Sequence, residues 1–318
     1  MTDTPYVRAD VMAFLAFLNA QTGPKMSEVE PAQAREMMIA MKSLAEAPTG
    51  EIAVKRDLSI PGPAGAIPAR LYDISENRAA GPVMVFFHGG GFVIGDIDTH
   101  EPYCVEVARQ LDMPVISIDY RLAPEHPFPA AAEDSEAAAR WIATSPAELG
   151  LDVTGLILSG DSAGGNLTIV TSMALRDNPA AAPVVLQHPI YPAVSASNDW
   201  ESMRDFAEGY LLTEASMAWF MDAYNPDSAD YRGAPLDFDQ SGMPPTVVTT
   251  ASLDPLRDQG VAYYEALKKA GVRVEHRSAD GNIHGHISLR RAIPSSNEDI
   301  TGNLTAVKAM LADILAPA

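Results

Sequence analysis

The chain has 318 residues, 47% of them hydrophobic, and its 42 acidic against 22 basic side chains leave a formal net charge of −20. That balance argues against nucleic acid as a partner, because phosphate binding needs clustered Lys and Arg. It fits either solubility through self-repulsion or adaptation to a salty medium. Cys104 is the single cysteine, which excludes an intramolecular disulfide. A chain of this length can bury a large core, as two domains or as one α/β domain.

Taken in chain order, the first apolar stretch runs from Val11 to Leu18. Acidic Asp3 and Asp10 precede it, no basic cluster does, and no small-residue cleavage site follows, so it is a poor signal peptide. It is also far short of the ~20 residues a membrane span needs. The expectation is a cytoplasmic protein with no membrane span. Residues 1–46 carry helical spacing at Val11, Phe14, Leu15 and Leu18, then at Met37, Met38, Met41 and Leu44, with Pro24 and Pro31 dividing the stretch.

From about residue 52 strands alternate with helices. Ile52 to Ile60 and Ala69 to Tyr72 read as strands around the turn at residues 61–65. The short apolar runs Val83 to Phe87, Val115 to Ile118, Leu156 to Leu158, Val184 to Leu186 and Thr246 to Thr250 fit a parallel sheet covered on both faces. A more polar strand starting at Val272 to Glu275 belongs nearer an edge. Helices are expected at 101–111, 132–143, 164–176 and 256–270, with Cys104 a buried structural thiol. Such alternation predicts an α/β fold. One stretch interrupts it: between Tyr191 and Pro244 lie about 50 aromatic- and Met-rich residues, where a connection normally takes only a few plus its helix. An insertion of this kind reads as a lid or cap.

Two glycine-rich segments sit directly after strands. Gly160-Asp161-Ser162-Ala163-Gly164-Gly165 follows Leu156 to Leu158 and opens a helix, which is G-x-S-x-G in a strand–turn–helix context. There a sharp turn lifts the serine above the sheet, and the helix behind points its N-terminus at developing negative charge. His88-Gly89-Gly90-Gly91-Phe92 follows Val83 to Phe87, and its glycines allow backbone N–H groups to face an oxyanion. It is not a phosphate loop, for no Lys-Ser/Thr follows and the spacing is not G-x-G-x-x-G. His88 itself reads as a brace for this loop.

A serine nucleophile needs a base and an orienting carboxylate, which in an α/β-hydrolase follow in the order serine, acid, histidine. Asp254 follows the strand at Thr246 to Thr250 and lies about 30 residues before His284. Asp before Pro255 is equally an ordinary helix cap. The segment Asp280 to His286 reads as a glycine-punctuated loop after the last strand, on the side of the sheet where α/β sites form. Spacing alone leaves His284 and His286 both open as the base.

Together these motifs resemble the bacterial hormone-sensitive-lipase-like carboxylesterases, the branch with a GDSAG elbow, over about residues 80 to 290. His88 to Phe92 looks like that family's oxyanion motif, Tyr120 to Ala130 like its next segment, and Asp254-Pro255-Leu256-Arg257-Asp258 like its acid motif. His284-Gly285 matches the catalytic histidine and selects His284; His286 stands where the family commonly has Phe. The resemblance implies an α/β-hydrolase fold with a mostly parallel sheet, N-terminal cap helices at 1–46, and a catalytic domain at 47–318 with a second cap segment at about 195–235. It implies a serine carboxylesterase acting on a small-molecule ester of short to medium acyl chain, without cofactor or metal, as a homodimer. Ser162, Asp254 and His284 would be the triad; Gly89, Gly90 and Ala163 would supply the oxyanion hole. Phe92, Leu256 and Ile283 flank the chemistry in sequence and are candidate pocket residues.

Overall fold

The computed structural model describes residues 5–316. An eight-stranded sheet has the order β1-β2-β4-β3-β5-β6-β7-β8. Its members are β1 (Val54–Gly62), β2 (Gly65–Asp73), β3 (Ala80–Phe87), β4 (Val115–Ile118), β5 (Asp152–Asp161), β6 (Val184–Ile190), β7 (Thr246–Leu253) and β8 (Val274–Ile283). β1 and β2 form an antiparallel hairpin and β2 lies antiparallel to β4; every later neighbour pair is parallel. The parallel part follows from chemistry. β4 is buried at all four positions and β5 is buried from Gly155 onward, which only a sheet covered on both faces allows.

Helices α1 (Ala9–Asn19) and α2 (Pro31–Ala45) precede the sheet. The connections carry α3 (Ile97–Leu111), α4 (Ala130–Ala143), α5 (Ala163–Asp177), α6 (Glu201–Asp205), α7 (Glu214–Tyr224) and α8 (Arg257–Lys269), and α9 (Ser296–Leu315) closes the described chain. The sequence reading places no helix after residue 270. Its signal is nevertheless there: Ile300, Leu304, Val307 and Leu311, all buried, recur at helical spacing. Strands run longer than their apolar centres suggest, because ladder hydrogen bonds continue through polar residues once the neighbours are in place. β8 is the clearest case: the expected loop from Asp280 is still strand as far as Ile283, which pairs with Leu253. It is the edge strand, as its polarity implies.

Core layers lie on both faces. One joins Val83, Val85 and Phe87 of β3 to Leu167 and Val170 of α5; the other joins Met84 and Phe86 to Cys104 and Val107 of α3 and Leu304 and Val307 of α9. Cys104 is fully buried, and burial pushes its thiol well up. A separate cluster packs Val11, Phe14 and Leu15 of α1 and Phe206 after α6 onto Leu253 and Ile283, the ends of β7 and β8. Among the described residues no helix is long and apolar enough to cross a membrane.

Candidate active site

The central strand β5 ends at Asp161, and α5 starts at Ala163. Ser162 is the joint. Its backbone sits at φ 57 and ψ −115, a conformation few L-residues adopt. The elbow is packed onto β3: a Cβ on Gly164 would collide with the carbonyl of Phe87, so the flanking glycine is demanded by contact as much as by the turn. Ser162 remains half-buried rather than covered.

Asp254 follows β7 and is fully buried. Its Oδ1 accepts the Leu256 N–H at 2.8 Å, the local turn its sequence context suggests, and its Oδ2 accepts from His284 Nδ1 at 2.7 Å. Asp254 is not the helix cap that its place before Pro255 suggests, since α8 starts at Arg257 with Leu256 as its cap residue; the turn and the orienting role coexist because a carboxylate has two oxygens. His284 Nε2 lies 2.9 Å from Ser162 Oγ. With Nδ1–H given to the carboxylate, Nε2 faces the hydroxyl as an acceptor, which fixes the tautomer needed to take its proton. Serine, histidine and aspartate thus form one hydrogen-bonded chain.

The histidine left open by spacing is decided by the turn after β8. His286 is turned under, fully buried, with Nδ1 3.1 Å from the Ile283 carbonyl and its ring edge-on to Tyr191. Burial holds its pKa below the ordinary value. His188 lies fully buried in β6 between Ser159 and Thr249, and burial lowers it to about 3.

His88 braces the glycine loop. Its Nδ1–H donates to the Gly89 carbonyl at 2.8 Å, its own carbonyl accepts from Tyr120 Oη at 2.7 Å, and its ring stacks on Tyr120. Burial, then the nearby His100, lowers it to about 4, so it stays neutral. The loop requires one correction to the sequence reading. The Gly89 N–H donates to Asp161 Oδ1 at 2.8 Å and is therefore spent inside the protein. A Cβ on Gly89 would collide with that same carboxylate. Among the described residues, the N–H groups of Gly90, its neighbour Gly91, and Ala163 at the start of α5 have no backbone acceptor. Spacing alone cannot tell which N–H of a glycine run is already taken.

The candidate pocket residues separate. Phe92 is buried and stacks on Tyr224 of α7, with centroids 3.8 Å apart. Leu256 is buried beside Asp254 through its N–H. Ile283 is fully buried in the cluster formed with α1 and Phe206, so it is core. Two residues of the inserted segment also lie beside the glycine loop and the histidine turn. The Phe220 ring lies where a Cβ on Gly91 would be, and Leu211 Cδ2 would be 3.6 Å from a Cβ on Gly285, next to His284. Their signal was the aromatic and Met-rich character of the insertion, which marks the segment without ranking its members.

Comparison with known proteins gives a consistent picture. A family described as alpha/beta hydrolase fold matches residues 84–288. The carboxylic ester hydrolase LipN of Mycobacterium tuberculosis (strain ATCC 25618 / H37Rv) is 41% identical over 267 residues, covering 81% of this chain and 71% of that protein. An ethyl acetate hydrolase of Pseudomonas putida is 33% identical over 303 residues, covering 92% and 95%. An ester hydrolase from the metagenome of Lake Arreo, solved with a derivative of bipyridine phosphonate, superposes with a TM-score of 0.91 at 37% identity, covering 96% of this chain and 99% of that one.

Proposed function

The chain belongs to the α/β-hydrolase fold family, and on that premise we propose that it is a serine carboxylesterase cleaving esters of short to medium acyl chain through an acyl-enzyme. One observation carries the reading: the hydrogen-bonded chain from Ser162 through His284 to Asp254, at 2.9 and 2.7 Å.

In this mechanism Ser162 Oγ attacks the ester carbonyl carbon as His284 Nε2 takes its proton. The Asp254 carboxylate keeps the ring oriented and stabilises the imidazolium. The carbonyl oxygen becomes an oxyanion facing the N–H groups of Gly90, Gly91 and Ala163, each such donor being worth about 3–4 kcal/mol. His284 then protonates the departing alkoxide, leaving an acyl-Ser162, and water repeats the cycle to release the acid. The helices at the N-terminus and in the insertion act as a cap; Phe220 and Leu211 wall the acyl side, alongside Phe92 and Leu256. Ethyl acetate, on which the Pseudomonas putida relative is named as acting, is the short end of the expected range.

The test is direct. Ser162→Ala is expected to lower turnover of p-nitrophenyl butyrate by about 10⁴-fold or more with an unchanged circular-dichroism spectrum. A fluorophosphonate should label Ser162 and no other residue. Near-normal turnover by the variant, or labelling elsewhere, overturns the assignment.

A further inference from the structure

The residue before the nucleophile is a carboxylate with no part in the triad. Asp161 is 5% exposed, and its Oδ1 takes both the Gly89 N–H at 2.8 Å and His100 Nε2 at 3.3 Å. The Tyr191 hydroxyl lies 3.4 Å from Oδ2, and the Tyr191 ring packs on His284 with centroids 4.5 Å apart. A buried charge is costly unless paired. Here burial pushes the carboxyl up, but the charge and hydrogen bond of His100, with the Gly89 N–H, more than offset it and hold Asp161 below the usual carboxylate range.

His100 is held from its other side as well. Its side chain is buried on α3, and Nδ1 lies 3.1 Å from Thr99 Oγ1. That hydroxyl gives its own hydrogen to the Asp96 carbonyl at 2.8 Å and accepts the Asp96 N–H at 2.9 Å. Nε2 faces the Asp161 carboxylate, which can only accept, so Nε2 carries the hydrogen.

We propose that Asp161 and His100 are positioning residues for the hydrolytic step: a buried carboxylate–imidazole pair that holds the Gly89 N–H, and through it aims the next two N–H groups at the oxyanion. The pair ties three elements together: the elbow at the end of β5, the loop after β3, and α3. It sets the height of Gly90 and Gly91 against Ser162, because Asp161 is bonded to Ser162 and Gly89 to Gly90. The inference rests on the serine-esterase reading.

Asp161→Asn, His100→Gln and His100→Leu test it in the full chain, with rates normalised to sites titrated by fluorophosphonate. For Asp161→Asn kcat is expected to fall about 10- to 100-fold, less than the 10²–10³ for deleting a donor outright, with KM within about twofold. Affinity for a trifluoromethyl ketone, which forms an oxyanion on Ser162, should fall by the same factor as kcat/KM. A wild-type kcat per titrated site, or a lower kcat with unchanged ketone affinity, overturns the proposal. Should Asp161→Asn not fold, the His100 pair decides. Gln can still donate to Asp161 and should retain more kcat and ketone affinity than Leu; equal values overturn the role. Wild type that takes no fluorophosphonate at Ser162 refutes the esterase reading itself, whereas loss confined to the variants' expected pattern touches only this inference.

Discussion

Asp119, just past β4, and Asp161, the last residue of β5, lie at the ends of strands that both flank β3, yet their surroundings treat them oppositely. Asp161 has the His100 ring and the Gly89 N–H against it. Asp119, one residue past β4, has burial first and then the charges of Asp96 and Asp98, which together raise it from 3.8 to about 6. A folded-state pKa above the unfolded one means the folded state binds the extra proton between the two values. The group's contribution is therefore fully present below about pH 4 and is lost as pH rises through about 6. The side chain is 35% exposed, so solvent screening reduces the full shift to a modest effect. Asp119→Asn should gain about 1 kcal/mol at pH 8 and close to nothing at pH 4, read from urea unfolding at both pH values. A larger gain at pH 4 would contradict the sign.

At the scale of elements, the N-terminal helices are fastened to the segment that follows His284. The Ala45 carbonyl at the end of α2 accepts the N–H groups of Arg291 and Ala292. The next residue, Glu46, is paired with Arg290 through Nε at 2.5 Å, both side chains almost completely buried. Burial raises Glu46 even against the arginine's charge, which marks the pair as costly to bury and costlier to break. Glu46→Leu should destabilise by about 3–5 kcal/mol, since it strands the Arg290 guanidinium, whose other carboxylate, Glu106, is 3.8 Å away. Adding Arg290→Met should restore at least half of that loss in equilibrium unfolding. A single variant within 1 kcal/mol of wild type would show the pair to be loosely solvated. Arg8, bidentate on Asp299 at 2.7 and 2.8 Å, fastens the start of α1 to α9 in the same way.

For the whole molecule, the excess of twenty negative charges sets the response to salt. Like charges at the surface repel across distances of about a Debye length, and that length shrinks from ~30 Å at 0.01 M to a few ångströms near 0.5 M. Buried pairs such as Glu46–Arg290 and Asp161–His100 are screened far less. Raising NaCl from ~0.01 to ~0.5 M should therefore raise Tm by about 2–5 °C, measured by scanning calorimetry at pH 8. A falling Tm would mean that exposed ion pairs such as Arg70 with Asp57 and Asp98 outweigh the repulsion.

What could be read from the chain itself was whatever rests on neighbours in sequence. The elbow at Ser162 and the glycine loop at His88 stand out because a strand, a tight turn and a helix follow one another within a few residues, and apolar runs buried on both faces announce a parallel sheet. Asp254 and His284 were reachable from their order along the chain, though His286 was separable only by resemblance. Tertiary structure put His284 Nε2 2.9 Å from Ser162 Oγ, as the resemblance implies, and alone decided that the Gly89 N–H belongs to Asp161 and that Ile283 is core. Each depends on which atom from a distant segment occupies a given direction in space. A hydrogen bond satisfies one donor once, and spacing along a chain cannot say who has already claimed it.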